Sequence, residues 1–509
     1  MAWEIAIDSL CGEIRIALLR SGSLQEIIIA RAGEPSIAGN IYLGRVQRVA
    51  PGIGAAFVDL GAGTGADKAG FLSERDARIL ATKKAVRTEN GKPAIDRLVH
   101  EGESLVVQAM SEPVGGKGPR VTADVSLPGR LLIYRPLSPG VAISRRIGGE
   151  TERRKLRETI AAIGEPADGG FVVRTAAANA DGLALTDEAH RLIDGWRAIE
   201  NATRHAGKPR CLRHEPGPIG RKLRDWAGDQ DAMIRVDGAA ALREARRYAE
   251  QHDPALAERL SRHRGGRPLF EEYGIEAAVE TAFGPRVELP RGGWIMIEST
   301  EALTAIDVNA GSRIEGSGRE ESARRVNFAA VREIARQLRL RNIGGLIVLD
   351  LISMTSKASW DRVLDELKKH LAMDRAATHV AGVTRLGLVE LTRRRSGPTL
   401  EQMLNEPCPA CRGAGRRQSL ETVGLDVLRR ARYEADQGRP GNLWITAHPD
   451  VARWLERKIH GQEAGGDLHA EFGRNVIIEA ESTMERVDFR ISTRPPGQTG
   501  NQGMKETNK

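Results

Sequence analysis

Two stretches constrain this chain more than any other part of it. "TAIDVN" (304–309) and "GLIVLDLI" (345–352) each read as an aliphatic strand interrupted by one carboxylate, Asp307 and Asp350, 43 residues apart. The intervening "SARRVNFAAVREIARQLRLR" is helical, with Val331, Ile334 and Leu338 on one side. A strand–helix–strand unit tends to set its two strands near each other in one sheet. Adjacent strands lie about 4.8 Å apart, so the two carboxylates can converge. Ala305, Asp307 and Asn309 share one strand face, because side chains alternate. An acid in a half-buried strand is costly unless something compensates it. Mg²⁺ suits the pair, since it takes oxygen ligands, keeps several waters and is held by one or two carboxylates plus substrate phosphates. The alternative is that each acid is a turn or capping residue at a strand end.

At 509 residues the chain is too long for one hydrophobic core. Lys plus Arg exceeds Asp plus Glu by 76 to 68, an excess of +8 that permits a polyanionic partner without requiring one. Aromatics are only 4%, so exposed ones are candidate stacking platforms. The four cysteines, Cys11, Cys211, Cys408 and Cys411, are too few for a disulfide scaffold and suit a reducing compartment. The N-terminus lacks a basic n-region and carries Glu4 and Asp8, so no signal peptide is expected. No apolar run approaches membrane-spanning length. A cytoplasmic protein is expected.

Short alternating strands open the chain (Trp3, Ile5, Ile7; Ile14, Ile16, Leu18; "EIIIAR"), and 39–72 reads as a small barrel with 81–97 as an inserted loop. From about 121 strands mix with helices, and the Thr of "TDEAHRLIDGWRAI" (186–199) marks a helix start. Residues 205–225 are basic and rich in Gly and Pro, suggesting a crossing between domains. Alternation from 279 to 400 argues for α/β layers, with Trp360, Val363, Leu364, Leu367 and Leu371 on one helix face. Residues 417–492 read as a small α/β unit, and the tail beyond as disordered.

"CPACRGAG" (408–415) brings two thiols within reach of one metal. Structural Zn²⁺ wants four ligands, and the chain has no second knuckle. The sharper reading is a Zn²⁺ shared by two copies, each giving Cys408 and Cys411. A redox pair, or two ordinary thiols in a turn, are the alternatives. A redox pair usually opens a helix in a thioredoxin-like unit, and "RGAGRR" does not resemble a helix start. In the barrel, Phe57 and Phe71 are two of only eight Phe. They are either stacking surfaces for single-stranded nucleic acid, with Arg45, Arg48 and Lys117 along the backbone, or core. Arg174 and Thr175 ("VVRTAA") pair a guanidinium with a hydroxyl after a strand, suited to a terminal phosphate or simply exposed.

Taken together, "GNIYLGRVQRV", "AAFVDLG", "GFL", "ISRRI", "VVRTAA", "AIDVNAG", "GGLIVLDLISM", "RLGLVELTRRR" and "CPACRGAG", in this order, resemble the ribonuclease E/G family. The resemblance implies an Mg²⁺-dependent endoribonuclease that cuts single-stranded RNA by water attack and leaves 5′-phosphate ends, in rRNA processing or mRNA turnover. It implies Asp307 and Asp350 as Mg²⁺ ligands with Asn309 beside them. Cys408 and Cys411 would be ligands of a Zn²⁺ linking two protomers in a homodimer, with dimers able to pair further. Phe57, Phe71 and Lys117 would be the RNA surface, and Arg174 and Thr175 the 5′-monophosphate pocket. The implied architecture is an RNase H-like piece split between 1–36 and 216–278. An OB-fold barrel (37–120) and a 5′-sensor region (121–215) are inserted in it. A DNase I-like catalytic domain (279–403), a zinc-link (404–416), a small dimer-packing α/β domain (417–492) and a disordered tail (493–509) follow. Ser353 stands where the family would place an acid, and Ala377 where it tends to carry a basic residue near the sensor. Without a long scaffold region, the chain resembles the shorter G-type form, and no degradosome scaffold role is expected. A non-catalytic RNA-binding protein that keeps the barrel is the alternative, and a deoxyribonuclease a more distant one.

Overall fold

The computed structural model describes residues 2–31, 36–61, 69–83, 93–111, 113, 118–144, 146–163, 169–178, 180–204, 207–227, 232–290, 292–311, 319–395, 397–411, 413, 415–437, 441–459 and 472–494. Lys117 and most of the 493–509 tail lie outside them, although the last described strand, Phe489–Arg494, runs into that tail's first residues. The chain forms two compact units, 1–404 and 405–509. Among the described residues no helix is long and apolar enough to cross a membrane.

The first unit opens with an antiparallel meander, Trp3–Leu10, Glu13–Arg20 and Ser23–Arg31. Its two hairpins turn through Cys11-Gly12 (φ 48 and 83) and Ser21-Gly22 (φ 48 and 76). Two consecutive positive-φ residues are what a tight hairpin of this twist demands. Cys11 is thus an exposed turn residue. Two distant strands, Met233–Asp237 and Leu260–Arg262, extend this sheet in parallel from Trp3–Leu10. Ile5, Ile7, Ile16 and Leu18 bury their side chains against Ile219, Leu223 and Trp226.

Next come Ile41–Ala50, Ala55–Asp59, Gly70–Ser73, Ser104–Ala109 and Arg120–Thr122, which close into a five-stranded barrel. The last strand runs parallel to Gly70–Ser73 and antiparallel to Ser104–Ala109, which seals onto Ile41–Ala50. Closure removes the free edges that short strands would otherwise expose. Of the segment expected as an inserted loop, residues 95–97 are instead part of a one-turn helix, Ile95–Leu98, whose Ile95 and Leu98 are buried. The presumed crossing at 205–225 also holds structure. Arg210–Arg213 pairs with Ile41–Ala50, and Pro218–Lys222 is a helix.

A four-stranded sheet follows, made of Leu127–Pro128, Leu132–Arg135, Gly140–Ile143 and Gly170–Val173 and covered by the helices Glu150–Ala162 and Gly182–Arg204. The second helix begins one turn before Thr186. The Thr186 hydroxyl donates back to Gly182 O instead of capping the helix N-terminus.

The last layer of this unit is a six-stranded sheet, ordered Arg286–Glu288, Trp294–Ser299, Leu303–Asn309, Gly345–Asp350, Leu388–Arg393 and Thr378–Val383. Helices Arg319–Leu340 and Lys357–Leu371 pack on one face. Ile306, Val308, Ile347, Leu349, Val389 and Leu391 meet Val331, Ile334, Leu338, Val363 and Leu367 there.

In the second unit, Asn442–Ala447 pairs in parallel with Val476–Ala480 and antiparallel with Phe489–Arg494. Helices Leu420–Asp436 and Pro449–Ile459 bury Val427, Ala431, Val451 and Leu455 against this small sheet.

Candidate active site

The two aspartates are direct neighbours. Leu303–Asn309 and Gly345–Asp350 run parallel, and Asp307 pairs in register with Asp350. Alternation buries Ile306, Val308, Ile347 and Leu349 among the helices, so both aspartates stand on the opposite, open face, where each is exposed. The register continues outward to Met296 beside Asp307 and to Leu388 beside Asp350. The row across the open face therefore reads Met, Asp, Asp, Leu. Asn309 Nδ2 donates to Asp307 Oδ2 at 2.6 Å, which leaves the other carboxylate oxygen and Asp350 facing solvent. Gly293 lets the main chain before Trp294 approach that of Asn309 closely. At φ 89, a Cβ there would lie 2.6 Å from Asn309 O. The donors are hard oxygens on adjacent strands, a set that fits a small divalent cation completed by water.

What holds Asp350 in place was not legible from the motifs. The turn that follows it, through exposed Ser353, is clamped from the long helix Arg319–Leu340. Fully buried Asn327 donates from Nδ2 to Ile352 O (2.8 Å) and accepts from Ile352 N at Oδ1 (3.0 Å). Glu320 accepts from Thr355 N and Oγ1 and from Ser356 N. The hydrogen bond from Thr355 N–H leads the effects that hold the Glu320 carboxyl down at about 2, so this clamp stays ionised at neutral pH. Trp360 Nε1 closes the turn on Met354 O. The signal for Asn327 was a polar residue inside the apolar stripe formed by Ala323, Val331, Ile334 and Leu338.

Phe57 and Phe71 are neither core nor free. They pair across adjacent barrel strands, both half-buried, with ring centroids 6.0 Å apart at 74°. The Arg48 guanidinium lies 4.8 Å above the Phe57 ring, a cation–π contact. Exposed Arg120, which the sequence reading did not single out, stands in register beside Phe71. Arg45 is exposed and donates to Gly102 O.

Arg174 and Thr175 sit at the exit of Gly170–Val173, half-buried. Thr175 Oγ1 meets Ser144 Oγ at 3.1 Å. Arg174 donates from Nη1 to Gly129 O (2.7 Å) and from Nη2 to Asp225 Oδ1 (2.9 Å). Ala377 is exposed and brings no charge to this place, but its neighbours do. Arg375 reaches Asp225 O at 2.5 Å, and Arg146 donates to Asp374 O. Burial opposes ionisation of Asp225, yet Arg224 and Arg174 more than offset it and hold the carboxyl below its ordinary value.

Cys408 is exposed and Cys411 half-buried, separated by the turn at Pro409-Ala410. The pair precedes the Leu420–Asp436 helix by nine residues and does not open it. Among the described residues no three His, Cys, Asp or Glu side chains gather into one metal site.

Comparison with known proteins identifies the family. The model of the ribonuclease E/G family matches residues 126–396, and that of the family's thioredoxin-like domain matches 407–494. Ribonuclease G of Haemophilus influenzae is 38% identical over 496 residues, covering 96% of this chain and 99% of that protein. Ribonuclease G of Escherichia coli is 34% identical over 500 residues, with the same coverage. Ribonuclease E of Nostoc sp. is 39% identical over 402 residues, covering 78% of this chain and 57% of that protein. By family model and by near full-length identity, the chain belongs to the ribonuclease E/G family.

Proposed function

We propose that this chain is an endoribonuclease that cuts single-stranded RNA by water attack on a phosphodiester, leaving a 5′-phosphate. The observation that carries the reading is the in-register pair Asp307 and Asp350 on an open sheet face, in a chain whose relatives are ribonucleases G and E. Asp307 and Asp350 would hold Mg²⁺, which when bound supplies a Lewis acid for the phosphate and lowers the pKa of water. Asn309 keeps the Asp307 carboxylate in one orientation. Met296 and Leu388 give a ribose or base an apolar surface on either side of the carboxylates.

The closed barrel, read as an OB fold, would carry the strand by stacking on Phe57 and Phe71 beside Arg48 and Arg120. Arg174 and Thr175 would take a terminal 5′-phosphate. Processing of rRNA or turnover of mRNA in the cytoplasm is the role this activity serves. Incubation of one RNA oligomer and its DNA counterpart, with Mg²⁺ or with EDTA, tests the reading. Only the RNA should be cut, and only with Mg²⁺. A protein that binds the RNA but never cuts it would be a binding module that keeps the barrel.

Cys408 and Cys411 would give two thiolates to a Zn²⁺ whose other two ligands come from a second copy. Changing both to Ser should halve the mass seen by light scattering and remove about one zinc per two chains. An unchanged mass in a zinc-free double variant rules out the link.

A further inference from the structure

The 5′-phosphate reading leaves open what holds the Arg174 guanidinium where a phosphate could meet it. Two acceptors do so, Gly129 O and Asp225 Oδ1, each taking one N–H. A guanidinium has five N–H groups, so three remain to be offered to a ligand. Of the two anchors, Asp225 alone carries charge, and it comes from 51 residues further along the chain.

Asp225 is itself held on several sides. It sits in a π-helical turn, Leu223–Ala227, a rare geometry that recurs at functional sites. Arg224 Nε approaches the same Oδ1 at 3.3 Å, and Arg224 is buried against Glu215 Oε1 at 2.5 Å. Arg375 Nη2 donates to the Asp225 main-chain oxygen. Neither the carboxylate nor its backbone is free to follow Arg174 if that side chain moves. Arg174, Arg224 and Arg375 face Asp225, Glu215 and Glu26, so these charges are matched around the carboxylate, while burial lowers the pKa of the neighbouring Lys222.

We propose that Asp225 is a positioning residue that fixes the Arg174 guanidinium beside Thr175, and so sets how strongly this chain prefers RNA with a 5′-monophosphate over RNA with a 5′-hydroxyl. The proposal rests on the reading of Arg174 and Thr175 as the place where a 5′-phosphate is met. Without Asp225, Arg174 keeps one neutral anchor and swings among rotamers, and binding must then order it again. With asparagine, Oδ1 still accepts from Nη2.

The test is the ratio of kcat/KM for two oligomers of one sequence, one with a 5′-monophosphate and one with a 5′-hydroxyl. Both are measured on the same preparation, so the fraction folded cancels. Asp225→Ala should lower the ratio about tenfold, the loss of one charge-assisted anchor, mostly through KM. Asp225→Asn should stay within about threefold of the unaltered protein, because the acceptor is kept. If Asp225→Ala does not fold, Asp225→Glu displaces the same carboxylate by one methylene and should also depress the ratio. Abolition of the ratio by Arg174→Ala, with Asp225→Ala and Asp225→Glu unchanged, overturns the proposal and leaves the 5′-phosphate reading standing. A ratio of one in the unaltered protein overturns both.

Discussion

Replacing Asp307 or Asp350 with asparagine should reduce cleavage of single-stranded RNA on the order of 10³-fold, and binding of that RNA by less than about threefold. Asparagine keeps the size of each side chain and the strand register that puts 307 beside 350. It removes the charge, and a neutral amide is a poor ligand for a hard cation that must shed water to bind. If the two aspartates share one ion as proposed, the two changes should not add, because each would disable that same ion. Asn309→Ala should do less, about tenfold, since it frees Asp307 to rotate without removing its charge. Single-turnover cleavage with enzyme in excess measures the chemistry, and fluorescence anisotropy in EDTA measures binding. Cleavage within tenfold of the unaltered rate in both aspartate variants would falsify this assignment and move the chemistry elsewhere.

That site was readable in the sequence for a specific reason. Strand alternation fixes which residues share a face, and a crossover of helical length restricts which strands can be neighbours. Together these place Asp307 and Asp350 side by side without any knowledge of the rest of the chain. Pattern alone said nothing of what stabilises them. Asn327 is an ordinary helical residue until Ile352 arrives against it from the far end of the next strand. Asp225 gains meaning only because its turn packs beside Gly129 and Arg174, from 96 and 51 residues upstream. The same limit governs the sheets. The first two hairpins announce themselves through Cys11-Gly12 and Ser21-Gly22, whereas Met233–Asp237 joining Trp3–Leu10 is a pairing across more than two hundred residues. Closure of the barrel by Ser104–Ala109 on Ile41–Ala50, and the Phe57–Phe71 contact on its outer face, likewise depend on register that no local pattern specifies. The helix start at Thr186 misled for the opposite reason. A hydroxyl that can cap a helix can also donate one turn back, and here it bonds Gly182 O.

Arg393→Met should destabilise the first unit by about 3–5 kcal/mol, the scale on which removal of one partner leaves a buried charge uncompensated. Arg393 and Asp374 are among the most deeply buried charged residues described, with side chains only 5% and 3% exposed. The guanidinium grips the carboxylate with two bonds, Nε to Oδ2 at 2.7 Å and Nη2 to Oδ1 at 3.3 Å. Its remaining terminal nitrogen donates to Ile343 O at 2.8 Å and Asn342 Oδ1 at 3.2 Å. Methionine fills most of the volume and satisfies none of these acceptors, so the Asp374 carboxylate, left with the Ala376 N–H, and the Ile343 carbonyl would lose the guanidinium in a dry place. Lysine should rescue little, since one ammonium cannot reproduce the planar fork. Pairing the change with Asp374→Leu should recover much of the loss, because no charge is then left behind. A typical domain has only about 5–15 kcal/mol in all, so the single variant should approach its unfolding threshold. The damage should also reach the candidate site. Arg393 ends the strand Leu388–Arg393 that flanks Gly345–Asp350, where Gly345 pairs with Arg393 and Asp350 with Leu388. Urea titration gives the loss as a shift in midpoint, and hydrogen exchange at 345–350 and 388–393 shows where it falls. A midpoint shift worth less than about 1 kcal/mol, the size of an exposed ion pair, would mean that the pair is solvated in the native protein.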